Sequence, residues 1–170
     1  MKFDLGKLQI NTILEDNFSE VQQIYLQGLE TGNASFETSV PDWNKWNRQH
    51  CLHSRISVLI DNKMIGWAAL SPVSERCVYE GVSEISVYVH KDFRDQGVGT
   101  ILLKRLIAES ERNGIWSLMS GVFPENKTSI KLHLNEGFRI VGTREKIAKM
   151  NNVWRDTLLL QRRSTKIGID

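Results

Sequence analysis

The chain has 170 residues, 41% of them hydrophobic and 25% charged, with a formal net charge of +2. That length suits one domain burying roughly 70% of its unfolded surface, so the core needs no metal or disulfide staple. So small a charge argues against a nucleic-acid or acidic-membrane partner, and no apolar run approaches the roughly 18 residues of a membrane span.

The start, "MKFDLGKLQI", lacks the apolar core of a signal peptide. "KLQINTIL" alternates Leu8, Ile10, Thr12 and Leu14 and reads as a first strand. "EDNFSEVQQIYLQGLETG" switches to helical period through Phe18, Val21, Ile24, Tyr25 and Leu29, with Asp16 as cap and Gly32 as stop. A polar loop around Phe36 leads to a second helix, "DWNKWNRQHCLH", opened by Asp42. "RISVLI" and "MIGWAALS" flank "DNK", a hairpin signal, and "VSEISVYV" follows an irregular connection. The helix "GTILLKRLIAESERNG" stops at Gly114; then come the strand "IWSLMSGVF", the short helix "PENKTSIKLHLNEG", and two closing strands joined through Asn151 and Asn152.

The predicted order is β-α-α-β-β-β-α-β-α-β-β. This is a mixed α/β (α+β) domain, with a mostly antiparallel sheet of about seven strands flanked by about four helices. Its one parallel crossover spans 82–122. The domain is expected over 1–163, with a loose tail over 164–170. Cys51 and Cys77, the only cysteines, form no CxxC pair and read as reduced thiols of a cytoplasmic protein. No metal site is expected, and neither cysteine has the setting of a nucleophile.

The stretch "HKDFRDQGVGT" sits between a strand and a helix. Open N–H groups and the helix dipole favour an anion there, and glycines let it approach the backbone. The dinucleotide pattern GxGxxG fails at Leu102, and the P-loop fails for want of a lysine after Gly99. A purely structural turn remains the competing reading of this stretch alone.

The spacing Arg94-x-x-Gly97-x-Gly99, with a strand before and a long helix after, resembles the acetyl-CoA pyrophosphate loop of the GNAT superfamily of N-acetyltransferases. "NKTSIKLHLNEGF" resembles that family's next segment, with Asn126, Ser129 and His133 on one helical face. "IYLQGLETGNASFE", "SEISVYVHKDFRDQGVG" and "WRDTLLLQ" are similar to the phosphinothricin and methionine sulfoximine acetyltransferase branch, from about Leu8 to Arg163.

The resemblance implies an acetyl group moved from acetyl-CoA to the amine of a small amino acid or analogue by direct attack. It implies Glu84 as general base, tuned by burial, and a backbone N–H near Val87 for the developing oxyanion. His133 is the implied acid for the leaving thiolate. The implied cofactor contacts are Ser86, Val87, Tyr88, Val89, Arg94, Asp95, Gln96, Gly97, Val98, Gly99, Thr100, Asn126 and Ser129. The acceptor side falls to Phe36, Glu37, Arg76 and Tyr79, with Arg76 as a carboxylate clamp. Trp67, Trp154 and Arg155 are further candidates for the cavity wall, and Trp43 and Trp46 for helix packing. A homodimer is implied through "FRIVG" and "TLLLQ". Competing readings are a polyamine or protein amine as acceptor, and a non-catalytic acyl-CoA sensor.

Overall fold

A computed structural model describes residues 7–169. The first six residues of the predicted domain and Asp170 of the predicted tail lie outside it. The described strands are β1 (Leu8–Thr12), β2 (Ile56–Ile60), β3 (Lys63–Pro72), β4 (Val82–Val89), β5 (Ser117–Val122), β6 (Arg139–Met150) and β7 (Val153–Arg163). The α-helices are α1 (Phe18–Leu29), α2 (Trp43–Gln49), α3 (Val98–Arg112) and α4 (Lys127–Asn135). They form one seven-stranded sheet in the order β1-β2-β3-β4-β5-β7-β6, in which only β4 and β5 pair in parallel. The predicted element order holds throughout.

Local chemistry accounts for most boundaries. Asp61 and Asn62 both take positive φ (47° and 62°) between β2 and β3, and Asn151 and Asn152 do so (50° and 63°) between β6 and β7. Two successive left-handed residues match the twist of a tight hairpin, and Asn and Asp tolerate that region. The Asp42 carboxylate accepts from the Lys45 N–H at 2.7 Å and caps α2 as expected. The expected Asp16 cap is not formed. A 3-10 turn over Glu15–Asn17 precedes α1, and Asn17 is spent on the turn, accepting from the Leu14 N–H and donating to the Thr12 carbonyl. α2 ends at Gln49, short of the sequence expectation, because the chain turns extended at His50.

The sheet carries a core on each face. Leu102, Leu103, Leu106 and Ile107 of α3 pack on Val58, Ala68, Leu70 and Ile85. On the opposite face Phe18, Val21 and Ile24 of α1 and Trp46 of α2 pack on Met64, Trp67 and Ala69. Trp46 is therefore the packing residue the sequence suggested.

Arg55 is 7% exposed and has no carboxylate partner among the described residues. Instead it donates to the Cys51, Asn47 and His50 carbonyls (2.6, 3.0 and 2.9 Å) and to Asn47 Oδ1 at 2.6 Å. It thus stitches the end of α2 to the start of β2.

The segment after Arg163 is not loose. Ser164 is buried, and Arg163 donates to the carbonyls of Trp116, Ser164, Ile167 and Gly168. The Ser164 hydroxyl and Arg162 both donate to Glu111 Oε1 (2.9 and 3.1 Å).

All four histidines, His50, His53, His90 and His133, have pKa values below the usual imidazole value, burial being the largest cause in each. The folded chain then takes up protons less readily than the unfolded chain. Stability is fully present above the unfolded value near 6.5 and is lost as pH falls through it. The melting temperature is expected to drop as pH falls from 7.5 to 5.5. A flat thermal-melt profile over that interval would show the imidazoles to be accommodated as cations.

Candidate active site

β4 and β5 pair only from Val82–Ser117 to Glu84–Met119. Beyond that point β4 stays with β3 as far as Val89, and β5 stays with β7 as far as Val122. The two strands therefore splay. The His90 N–H donates to Ile65 on β3, so strand alternation turns the N–H groups of Ile85, Val87 and Val89 toward the gap. A cavity of about 1200 Å³ follows the gap and is lined by Glu84, Ser86, Val87, Tyr88 and Val89, among others.

The glycine turn borders this cavity through Arg94, Asp95, Gly97, Gly99 and Thr100. Gly97 sits at φ +88° as the N-cap of α3, a conformation that disfavours any side chain. Helical bonding starts with the Ile101 N–H on the Gly97 carbonyl at 3.1 Å. The N–H groups of Val98, Gly99 and Thr100 therefore have no intrahelical acceptor and suit an anion. A Cβ on Gly99 would lie 3.2 Å from Leu132 Cδ2, so glycine lets α4 close on this turn.

Arg94 is largely committed elsewhere. It donates to the Gln27 carbonyl at 3.0 Å and the Val89 carbonyl at 3.4 Å, bracing the end of α1 against β4. Gln96 and Val98, expected at the cofactor, do not line the cavity: Gln96 donates to the Asp92 carbonyl and Val98 is buried in the core.

Glu84 stands at the last paired position before the splay, with its carboxylate exposed rather than buried as expected. His133 lines the cavity. It is 3% exposed, its Nδ1–H donates to the Ser129 carbonyl at 2.6 Å, and its Nε2 is buried without a partner. That tautomer leaves Nε2 as a lone-pair acceptor, and burial holds the ring neutral. Its ring packs edge-on against Phe138. Asn126 is spent on structure as well as lining the cavity: its Oδ1 accepts from the Ser129 N–H and its Nδ2 donates to the Asn33 carbonyl, both at 3.1 Å. Ser129 also lines the cavity.

On the acceptor side Phe36 and Glu37 line the cavity, Phe36 edge-on to Phe123 with centroids 4.8 Å apart. Arg155 fixes that loop. Its guanidinium lies 3.7 Å from the Phe123 centroid and donates to the Gly32 carbonyl (2.6 Å), Asn33 Oδ1 (2.8 Å) and Glu125 (3.1 Å).

Arg76 and Tyr79 are not in the cavity wall. They meet each other in an exposed 3-10 turn, the guanidinium 5.6 Å from the ring centroid. Downstream the chain is pinned where Gly81 lies flat under Trp116; a Cβ there would fall 2.0 Å from the indole. Trp67 belongs to the core, and Trp154 is an exposed side chain on β7 with Lys149 over its ring.

Tyr25 and Arg144 are among the wall residues that escaped the sequence reading, and Tyr88 was expected only at the cofactor. Tyr25 packs on Tyr88 with centroids 4.7 Å apart, and burial raises both phenol pKa values, so both stay protonated donors. The one sequence signal was Gly28, whose missing Cβ leaves room for the Tyr88 ring. β6 bulges between Arg144 and Ala148, where Lys146 takes φ +46° and its N–H donates to Asp156 at 2.7 Å. A bulge re-aims neighbouring side chains, and Arg144, Ile147 and Ala148 all line the cavity.

The family model described as Acetyltransferase (GNAT) family matches residues 13–138. A phosphinothricin N-acetyltransferase of Alcaligenes faecalis is 33% identical over 161 residues, covering 90% of this chain and 81% of that protein. An L-methionine sulfoximine/L-methionine sulfone acetyltransferase of Salmonella typhimurium is 35% identical over 78 residues, 46% of each chain. The crystal structure of a phosphinothricin acetyltransferase from Sinorhizobium meliloti in complex with AcCoA superposes with a TM-score of 0.86, at 20% identity, over 96% of this chain and 92% of that one; it bears on the fold.

Proposed function

Since the chain belongs to the acetyltransferase (GNAT) family, we propose that it acetylates the amine of a small amino acid or analogue of the phosphinothricin or methionine sulfoximine type, with Glu84 as general base. Acetyl-CoA supplies the activated acyl carbonyl and a thiolate leaving group. The chain is suited to hold it: the open N–H groups of Val98, Gly99 and Thr100 can take the pyrophosphate, and the β4–β5 gap can take the arm.

The observation that carries this reading is an exposed carboxylate at the point where the two parallel strands part, in the same cavity as the open helix N-terminus. An alkyl ammonium has a pKa near that of lysine, about 10.4, so at neutral pH it must lose a proton before attack. Glu84 accepts that proton. The amine nitrogen forms the new bond to the acyl carbon as the carbon–sulfur bond breaks, and the nitrogen's surplus proton passes to the departing thiolate, which leaves as the free thiol. The Val87 N–H stabilises the charge growing on the acyl oxygen, a contact worth about 3–4 kcal/mol. Phe36, Glu37 and Tyr88 border the acceptor. His133, neutral and with a buried Nε2, is left out of proton transfer and packs α4 instead. The test is thiol release from acetyl-CoA with a panel of phosphinothricin, methionine sulfoximine, standard amino acids, spermidine and a lysine peptide. Turnover on a small amino acid is expected; turnover confined to spermidine or the peptide would overturn the acceptor class.

The same reading takes the protein as a cytoplasmic homodimer. Free Cys51 and Cys77 are in keeping with a reducing compartment, and no helix of the described residues is long and apolar enough to cross a membrane. Ile140, Val141, Ile147, Val153 and Trp154 are each 45% or more exposed on the last two strands of the sheet, an apolar surface that a second copy would cover. Sedimentation is expected to return twice the chain mass of 19.5 kDa; a monomer at micromolar concentration would remove the dimer.

A further inference from the structure

We infer that Arg144 anchors the carboxylate of the acceptor and thereby selects acidic amines; this rests on the amino-acid acetyltransferase reading above.

Arg144 lines the cavity that holds Glu84. Its Nη2 lies 3.4 Å, and Glu84 Oε1 3.7 Å, from the position a Cβ on Gly121 would take. The two side chains thus flank one bare glycine without forming an ion pair, and among the described residues Arg144 makes no ion pair, hydrogen bond or cation–π contact. The other guanidiniums near this wall are spent: Arg94 on the Gln27 and Val89 carbonyls, and Arg155 on the 32–33 loop and Glu125. Arg76, the expected clamp, lies outside.

A cation left without a partner beside the proposed base has a simple use. An α-amino acid carries its ammonium and carboxylate on one carbon. The ammonium faces Glu84 while the carboxylate takes the guanidinium fork, whose paired N–H groups match the two oxygens. The same geometry disfavours an acceptor with a second cation in place of the carboxylate, since that cation would face Arg144. The β6 bulge fixes this placement, because without its extra residues the register opposite Thr157 and Arg155 would shift.

The test compares the unmodified protein with Arg144→Met and Arg144→Lys on a matched pair of acceptors: the best amino acid of the panel and its carboxamide. Arg144 is exposed, so both variants are expected to fold, which a thermal melt verifies. Loss of a charge-assisted contact predicts a rise of about 10- to 100-fold in KM for the acid in Arg144→Met. The KM for acetyl-CoA stays unchanged, and the preference for acid over amide disappears. Arg144→Lys recovers part of the preference. An undiminished preference in Arg144→Met overturns the assignment while leaving the amino-acid acetyltransferase standing. No acetylation of any amino acid by the unmodified protein overturns both.

Discussion

Glu84→Gln is expected to lower kcat at pH 7 by about 10²- to 10⁴-fold, the usual contribution of a positioned general base. The KM for acetyl-CoA should not move, because the cradle over Val98–Thr100 belongs to a different element. The pH profile carries the diagnosis. Without a base the variant depends on the fraction of acceptor already deprotonated, which rises tenfold per pH unit until it approaches the amine's pKa near 10. Its rate should therefore climb toward that of the unmodified protein in alkaline solution. Equal turnover at pH 7 would remove Glu84 as base and leave a transferase that acts on the small free-amine fraction. A large loss that does not recover in alkali would make Glu84 a positioning group for the acceptor. Glu84 is exposed, so the proposed role rests on its placement at the strand divergence rather than on burial.

Arg55→Leu is expected to give the largest loss of stability, about 3–5 kcal/mol, or about 10 °C in melting temperature. Its guanidinium satisfies three backbone carbonyls and the Asn47 side chain. Leucine leaves all four acceptors without a donor in a region closed over by Trp43 and Trp46. Arg55→Lys should recover only a fraction, because one ammonium cannot reproduce the planar fork. Urea denaturation measures it; a loss below about 1 kcal/mol would mean that water reaches those carbonyls. The same substitution should disturb the site, because His50, whose carbonyl Arg55 holds, lines the cavity.

Sequence by itself determined the element order, the two hairpins, the helix stop at Gly114 and the glycine turn that opens α3. Each rests on local chemistry: alternation, helical period, residues able to take positive φ, and open N–H groups at a helix start. The resemblance pointed to Glu84 and Val87, and both line the cavity. Only the tertiary structure decided which side chains meet. Arg76 and Arg144 are alike as letters, but a 3-10 turn holds one on Tyr79 outside the cavity, while a bulge on β6 brings the other beside Glu84. Arg55 carries no signal in the sequence and is buried, because its partners are backbone carbonyls that no side-chain pattern announces. His133 kept its helical face and lines the cavity, but its tautomer is set by a 2.6 Å bond to its own helix, which the letters do not show. Pairings across the sheet depend on register and on which carbonyls are left unpaired, and those are properties of the assembled fold.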